Sequence, residues 1–351
     1  MTRYKTAVAL LSVVGCVLAL ATGIVYSQAQ SNTVQVHLVI TDQKLNDDGP
    51  EPVLRADSVQ VRQGRNQLKV QQLIPARDDN AALQLFVLID DTCDSSIGNN
   101  LNDLRDFISA QPASTVVGVA YMSNATIQIV QNFTADHELA AKAIRLPRGN
   151  TSAMDSPYLS LISLVKGWPD AKVRRQVLMV SDGIDRLRGD TSFSGPSPAA
   201  MSGPGRTGPT LTGPSLTPAP TTLPTIPADA DTASRASQRA GVIVHGIYSP
   251  GVGRLSRNAW EAQLGQSGVA KIADETGGEY FALGTQAPVS FKPYLDRLQR
   301  IFNNQYYLVF QAVPKKKEGL QQVRVSTSAP NADIASANSV WVPAAASGGG
   351  D

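Results

Sequence analysis

The sequence predicts an α/β protein: a mostly parallel sheet with helices on both faces, plus β-rich N- and C-terminal flanks. Three observations predict it. The continuous apolar runs Leu85–Ile89, Val177–Val180 and Val242–Tyr248 read as strands buried on both faces. Between such runs, apolar residues recur at helical spacing, which means strand–helix–strand units. Toward both ends of the chain the pattern changes to short, partly alternating runs separated by turn residues.

The bulk numbers set the bounds. The 351 residues suffice for about two domains, and a hydrophobic fraction of 42% is ordinary for a globular chain. With 31 Lys+Arg against 29 Asp+Glu the net charge is +2, without the basic excess of a dedicated nucleic-acid binder. Two Cys make neither a disulfide scaffold nor a Cys-based zinc site. The three His (His37, His137, His245) fit no HExxH spacing.

In chain order, Arg3 and Lys5 precede an apolar run from Ala7 to Tyr26, followed by Ser27, Gln28 and Ala29. Residues 1–29 therefore read as an export signal peptide, with an uncleaved membrane anchor as the alternative. Val13-Val14-Gly15-Cys16 resembles a lipoprotein box, but the residues after Cys16 are still apolar. Each of these readings places the rest of the chain outside the cytoplasm, secreted or periplasmic, or held by the N-terminal segment. Cleavage after Ala29 leaves Cys93 as the one thiol, and no intrachain disulfide.

Residues 30–80 are predicted to be β-rich: a strand over 34–42, then a hairpin over 58–74 turning at Gln63-Gly64-Arg65-Asn66. The α/β region spans 81–304. Its further strands are Val116–Tyr121, Ala125–Val130 and Glu279–Leu283. Its helices are the stretch around Leu101, Leu104, Phe107 and Ile108, then Asp136–Ile144 with Thr134 as cap, Leu159–Val165, Asn258–Thr276 and Phe291–Asn303. Residues 190–228 hold nine of the 22 prolines and only two charges, Asp190 and Arg206. This stretch reads as a disordered insertion, an inert spacer or a flexible lid. Residues 305–343 are β again: Tyr306–Ala312 and Gln322–Ser328 read as a hairpin, with a short strand at Val340–Val342. Residues 344–351 read as a disordered tail.

Three polar loops fall at strand ends or helix starts: Asp90–Ser96, Gly149–Ser152 with Asp155, and Ser181–Asp185. An Asp at a strand end, hydroxyls two and four residues on, a distant Thr and a distant Asp make a site for a hard divalent cation such as Mg²⁺. Each residue also has a plainer reading. Asp182-Gly183 serves as a turn, Thr151 as a helix cap, Asp155 as first-turn helix electrostatics and Cys93 as a semi-buried thiol. Enzyme signals are weak. A haloacid-dehalogenase-like phosphatase needs a second Asp two residues after the first, and Thr92 and Cys93 stand there. Gly251-Val252-Gly253 lacks the rest of a dinucleotide fingerprint and reads as a solvated loop, and no GxSxG elbow occurs. Asn124, Asn132 and Asn150 open Asn-x-Ser/Thr triplets, of the kind that arise often by chance.

The order strand, DxSxS-like loop, helix, Gly-x-Thr loop, then Ser-Asp-Gly after a strand resembles a von Willebrand factor type A (VWA) domain with its metal-ion-dependent adhesion site. The flanks are similar to the acidobacterial-type VWFA-related domain family. They carry the strand at 34–42, the Ser58–Gly64 hairpin, Asp274-Glu275-Thr276-Gly277-Gly278-Glu279-Tyr280-Phe281 and the Gln305–Phe310 strand. The resemblance covers about residues 34–328, interrupted by the insertion. It implies a VWA/Rossmann-like sheet, a bacterial envelope setting, no enzyme activity, and a protein ligand docked at the carboxyl edge of the sheet. A scaffold role in an envelope assembly is the alternative. The implied cofactor is Mg²⁺ or another divalent cation, held by Asp91, Ser95, Thr151 and Asp182, with Cys93 a doubtful ligand where the family has a hydroxyl. The register rests on helix burial: starting from Asp91 puts Leu101, Leu104 and Phe107 in the core, whereas starting from Asp90 puts polar Asn100 there. The alternative register makes Asp90, Thr92 and Asp94 the ligands.

Overall fold

The computed structural model describes residues 33–44, 54–169, 173–188 and 228–345. The stretch read as an export signal, the stretch read as an insertion up to residue 227 and the last six residues lie outside these.

The centre is a six-stranded sheet. Its strands are β5 (Leu83–Asp90), β6 (Thr115–Ser123), β7 (Thr126–Thr134), β8 (Arg174–Ser181), β9 (Val242–Tyr248) and β10 (Tyr280–Phe281), in the order β10-β9-β8-β5-β6-β7. All neighbours run parallel except the edge pair β6–β7. β5 lies in the middle, and its side chains feed two cores. Leu83, Leu85, Val87 and Ile89 face one, closed by helices α1 (Leu101–Ser109), α2 (His137–Lys142) and α6 (Lys292–Asn303). Phe86 and Leu88 face the other, closed by α3 (Pro157–Lys166), α4 (Ala228–Ala240) and α5 (Ala259–Thr276). The alternation along one strand thus builds a sheet covered on both faces.

Several local expectations are corrected. The cap of α2 is Asp136, which accepts from Leu139 N at 3.0 Å, while Thr134, two residues earlier, accepts from Asp136 N. Thr151 caps no helix; α3 begins at Pro157 behind Ser156. α4 was not anticipated, because its buried stripe is Ala230, Ala233, Ser234 and Ser237 and carries no large apolar residue.

The two flanks build one β-rich body. Strand β1 (Val34–Asp42) pairs with β11 (Gln305–Ala312), and β11 pairs on its other side with β4 (Val70–Pro75). β2 (Val59–Gln63) does form a hairpin with β3 (Asn66–Leu68). The predicted C-terminal hairpin does not form: β11 stays with β1 and β4, and β13 (Arg324–Thr327) pairs with β2. β12 (Gly319–Gln322) pairs with β15 (Ser339–Val342), and β14 (Ile334–Ser336) with the end of β1. Apolar residues from both flanks, among them Ile40, Val61, Leu308, Phe310 and Val342, share one core.

This body sits at the amino end of the central sheet. Arg174, the first residue of β8, donates to Phe302 O at 2.7 Å, Gln305 Oε1 at 2.9 Å and Ala81 O at 2.6 Å. Gln305 also accepts from Gln176 at 2.6 Å, and Gln176 in turn meets His245 Nε2 at 2.8 Å. Because His245 Nδ1 accepts from Glu279 N at 3.1 Å, its proton lies on Nε2. Burial alone pulls the His245 pKa down to about 3. A depressed histidine supports the fold when neutral, so its contribution is complete above the ordinary value near 6.5 and drains away as pH falls toward 3. His245→Gln is expected to flatten the acid limb of a urea-melt series, sparing about 2 kcal/mol of loss between about pH 6.5 and pH 5. Equal slopes in the two proteins would contradict a neutral buried imidazole.

Among the described residues, no helix is long and apolar enough to cross a membrane.

Candidate functional site

Parallel strands β5, β8 and β9 all end on the same edge, so the loops that follow them meet there. Backbone hydrogen bonds tie them together. Asp94 N donates to Pro250 O at 2.9 Å, Val252 N to Thr92 O at 2.8 Å, and Ser249 N to Ser181 O at 3.2 Å. The loop before α3 joins them through Gly149 N to Asp91 O at 3.0 Å and Arg186 N to Asp155 O at 2.8 Å.

The side chains of the two strand-end aspartates diverge. Asp90 is buried, and its carboxylate accepts from Thr92 N at 3.0 Å, Thr92 Oγ1 at 2.7 Å and Ser181 Oγ at 2.6 Å. Burial pushes its pKa up to about 6, with the charge of Asp182 adding and Arg186 opposing. Asp91 turns the other way. It accepts from both terminal nitrogens of the Arg145 guanidinium, at 2.7 and 2.9 Å, and from Arg148 N at 2.9 Å. Burial works to raise its pKa, but the Arg145 and Arg148 contacts hold it below the usual carboxylate value.

The carboxylates that face the Thr92, Ser181 and Ser256 hydroxyls are therefore Asp90 and Asp182, while Asp91 is held by Arg145. Asn100 bears on the register. It is buried at the start of α1, as the Asp90 register requires, and its amide donates to Pro288 O at 3.1 Å. A polar residue with a partner was compatible with the core after all.

The other sequence-derived ligands fall around this centre. Cys93 points into the core with its sulfur 4.0 Å from Val180 O, and burial pushes its thiol pKa well up. Asp94 caps the 3-10 turn Ser95–Asn100 by accepting from Ser96 N at 2.8 Å, and Ser95 is exposed. Thr151 is exposed beside Gly253, and with Asp91, Arg148 and Asp155 it lines a small cavity of 220 Å³. Asp155 is no first-turn helix charge: it accepts from Asn124 N at 2.7 Å and Ser152 N at 2.5 Å, and so pins the loop.

Asp182 has a partner that the sequence reading missed. Arg186 Nη2 donates to its Oδ2 at 2.6 Å, within a side-chain pair only 5% and 1% exposed. Ser256 Oγ lies 2.9 Å from the same Oδ2 and accepts from Arg186 Nη2 at 2.8 Å. Ile184 N donates to Oδ1 at 2.9 Å. The Ser249–Gly253 loop closes over this cluster, and glycine is required in it. A Cβ on Gly251 would lie 2.2 Å from Asp182 Oδ2 and 2.8 Å from Arg186 Nη2. The i, i+4 spacing of Asp182 and Arg186 was the available sequence signal.

These residues do not fit a divalent cation as they are arranged. Every carboxylate oxygen of Asp90, Asp91 and Asp182 already accepts a hydrogen bond, and Asp91 and Asp182 each face a guanidinium. No group of three His, Cys, Asp or Glu among the described residues is placed to hold a metal.

No protein-family model matches the sequence, and no curated protein matches it. Solved structures do. The chain is similar to an aerotolerance-related membrane protein from Bacteroides fragilis NCTC 9343, at 13% identity and a TM-score of 0.36, covering 63% of this chain and 99% of that one. It is similar to a von Willebrand factor type A protein from Catenulispora acidiphila, at 11% identity and a TM-score of 0.36 over 91% of this chain and 75% of that one. It is also similar to the vWF domain of the type V pili tip protein Mfa5 from Porphyromonas gingivalis, at 12% identity and a TM-score of 0.37 over 63% and 94%. The core itself is an α/β sheet with helices on both faces and one antiparallel edge strand, β5 ending on an Asp loop and β8 on Ser-Asp-Gly.

Proposed function

We propose that this chain is an exported, VWA-type protein-binding module that docks a protein ligand at the carboxyl edge of its central sheet. One observation carries the reading. The β-rich body covers the amino end of the sheet, and more than half of the strongly exposed large apolar side chains stand on segments at the opposite end. Among the described residues nine large apolar side chains are strongly exposed; Leu146, Met154, Trp260, Leu283 and Val289 belong to segments at the carboxyl edge. Exposed apolar groups rimmed by polar ones are what a protein partner buries. Arg148, with 57% of its side chain exposed, adds a cation beside them. The reading is one of binding: Asp91 and Asp182 are engaged by arginines, and Asp90 by the Thr92 and Ser181 hydroxyls. It routes nothing through a divalent ion.

Site-specific photo-crosslinking tests it. A photoreactive side chain is placed at Met154 or Trp260, and at Val313 in the β-rich body as the control, in cells expressing the full chain. Discrete adducts from Met154 and Trp260 and none from Val313 are expected. Adducts from Val313 alone would move the interface to the flanks and favour the scaffold role.

A further inference from the structure

We infer that Arg186 is the resident cation of the carboxyl edge, its guanidinium held by Asp182 and Ser256 where a divalent ion bound to Asp182 would need to sit, and masking a latent cation site there. The inference goes beyond the docking reading and does not depend on it, because ion binding is read without any partner.

Four observations carry it. The first is charge. Asp90 and Asp182 are both buried at adjacent strand ends, and the buried positive group nearest to them belongs to the chain itself. The second is geometry. Nη2 lies 2.6 Å from Asp182 Oδ2 and 2.8 Å from Ser256 Oγ, while Nη1 lies 3.2 Å from Ile184 O. Such a fork is fixed in position, and since arginine stays protonated it repels a second cation. The third is space. The Gly251 backbone passes so close to Asp182 Oδ2 and Arg186 Nη2 that a single methyl group would overlap both. The fourth is the donor set. Asp90, Asp182, Thr92, Ser181 and Ser256 offer only carboxylate and hydroxyl oxygens, the donors that hard cations prefer. The nearby sulfur of Cys93 faces Val180 O in the core.

Truncating Arg186 removes the competing charge and frees Asp182 Oδ2 and Ser256 Oγ of the guanidinium. The test is calorimetric titration of the chelator-stripped full chain with MnCl₂. We expect no heat from the wild type up to millimolar Mn²⁺. Arg186→Ala is expected to bind Mn²⁺ at least tenfold more tightly than the wild type, and Arg186→Ala/Asp182→Asn is expected to lose that binding. Wild-type binding that Asp182→Asn abolishes would overturn the inference. So would a folded Arg186→Ala that binds no Mn²⁺. Where Arg186→Ala alone does not fold, Asp182→Asn/Arg186→Gln decides. Recovery of folding in this neutral pair supports a charge-compensating role for Arg186, and failure to recover overturns it.

Discussion

Asp182→Ala is expected to cost about 3–5 kcal/mol of stability, the usual loss when one member of a buried ion pair is removed. The size follows from what is left behind. Arg186, only 5% exposed, keeps its charge and loses the acceptor of its 2.6 Å bond. Ile184 N and Ser256 Oγ lose an acceptor in the same stroke. Equilibrium urea denaturation measures the loss. Asp182→Ala/Arg186→Leu should recover a large part of it, because neither charge then stays buried alone. A single-variant loss below about 1 kcal/mol would mean that the pair behaves like a solvated surface bridge.

Gly183→Ala is expected to be at least as damaging, by about 3 kcal/mol or more, for two superposed reasons. Its φ of +72° strains any L side chain, and an added Cβ would lie 2.3 Å from Gly265 O in α5. That neighbour is backbone, so it has no rotamer to yield with. Gly241→Ala separates the two causes. Its φ of +64° is nearly the same, but nothing lies within 4 Å of the added carbon. That variant should lose only about 1 kcal/mol. Equal losses at the two positions would show that the approach of β8 to α5 is looser than described.

Much of the fold was legible because the strands of the parallel sheet are buried on both faces. Leu85–Ile89 and Val177–Val180 have no polar alternation to misread, and each ends where its carboxylate turns to the edge. α4 was not legible, since Ala and Ser supply its packed face and give no amphipathic contrast. The pairing of the flanks was not legible either. A hairpin is the local solution for β11 and the strand after it, but β11 finds its partners in β1 and β4, far away in sequence.

At the site, the loops that meet were legible and the side chains that meet were only half so. Asp182 was found from the Ser-Asp-Gly turn. Asp90 was ranked below Asp91 because a polar Asn100 looked incompatible with burial, while its partner Pro288 lies 188 residues away. Arg186 went unnoticed because the expectation of a metal ion left no role for a cation carried by the chain. Gly251 passed for part of a solvated loop because nothing local shows that β9 brings it over Asp182.

The most direct test of this account is a crystal of the full chain grown in millimolar MnCl₂ and measured at the manganese absorption edge. The account predicts no anomalous peak at the carboxyl edge, with Arg186 Nη2 still against Asp182 Oδ2. A manganese peak between Asp90 and Asp182, with the guanidinium swung out and the Gly251 loop lifted, would contradict it.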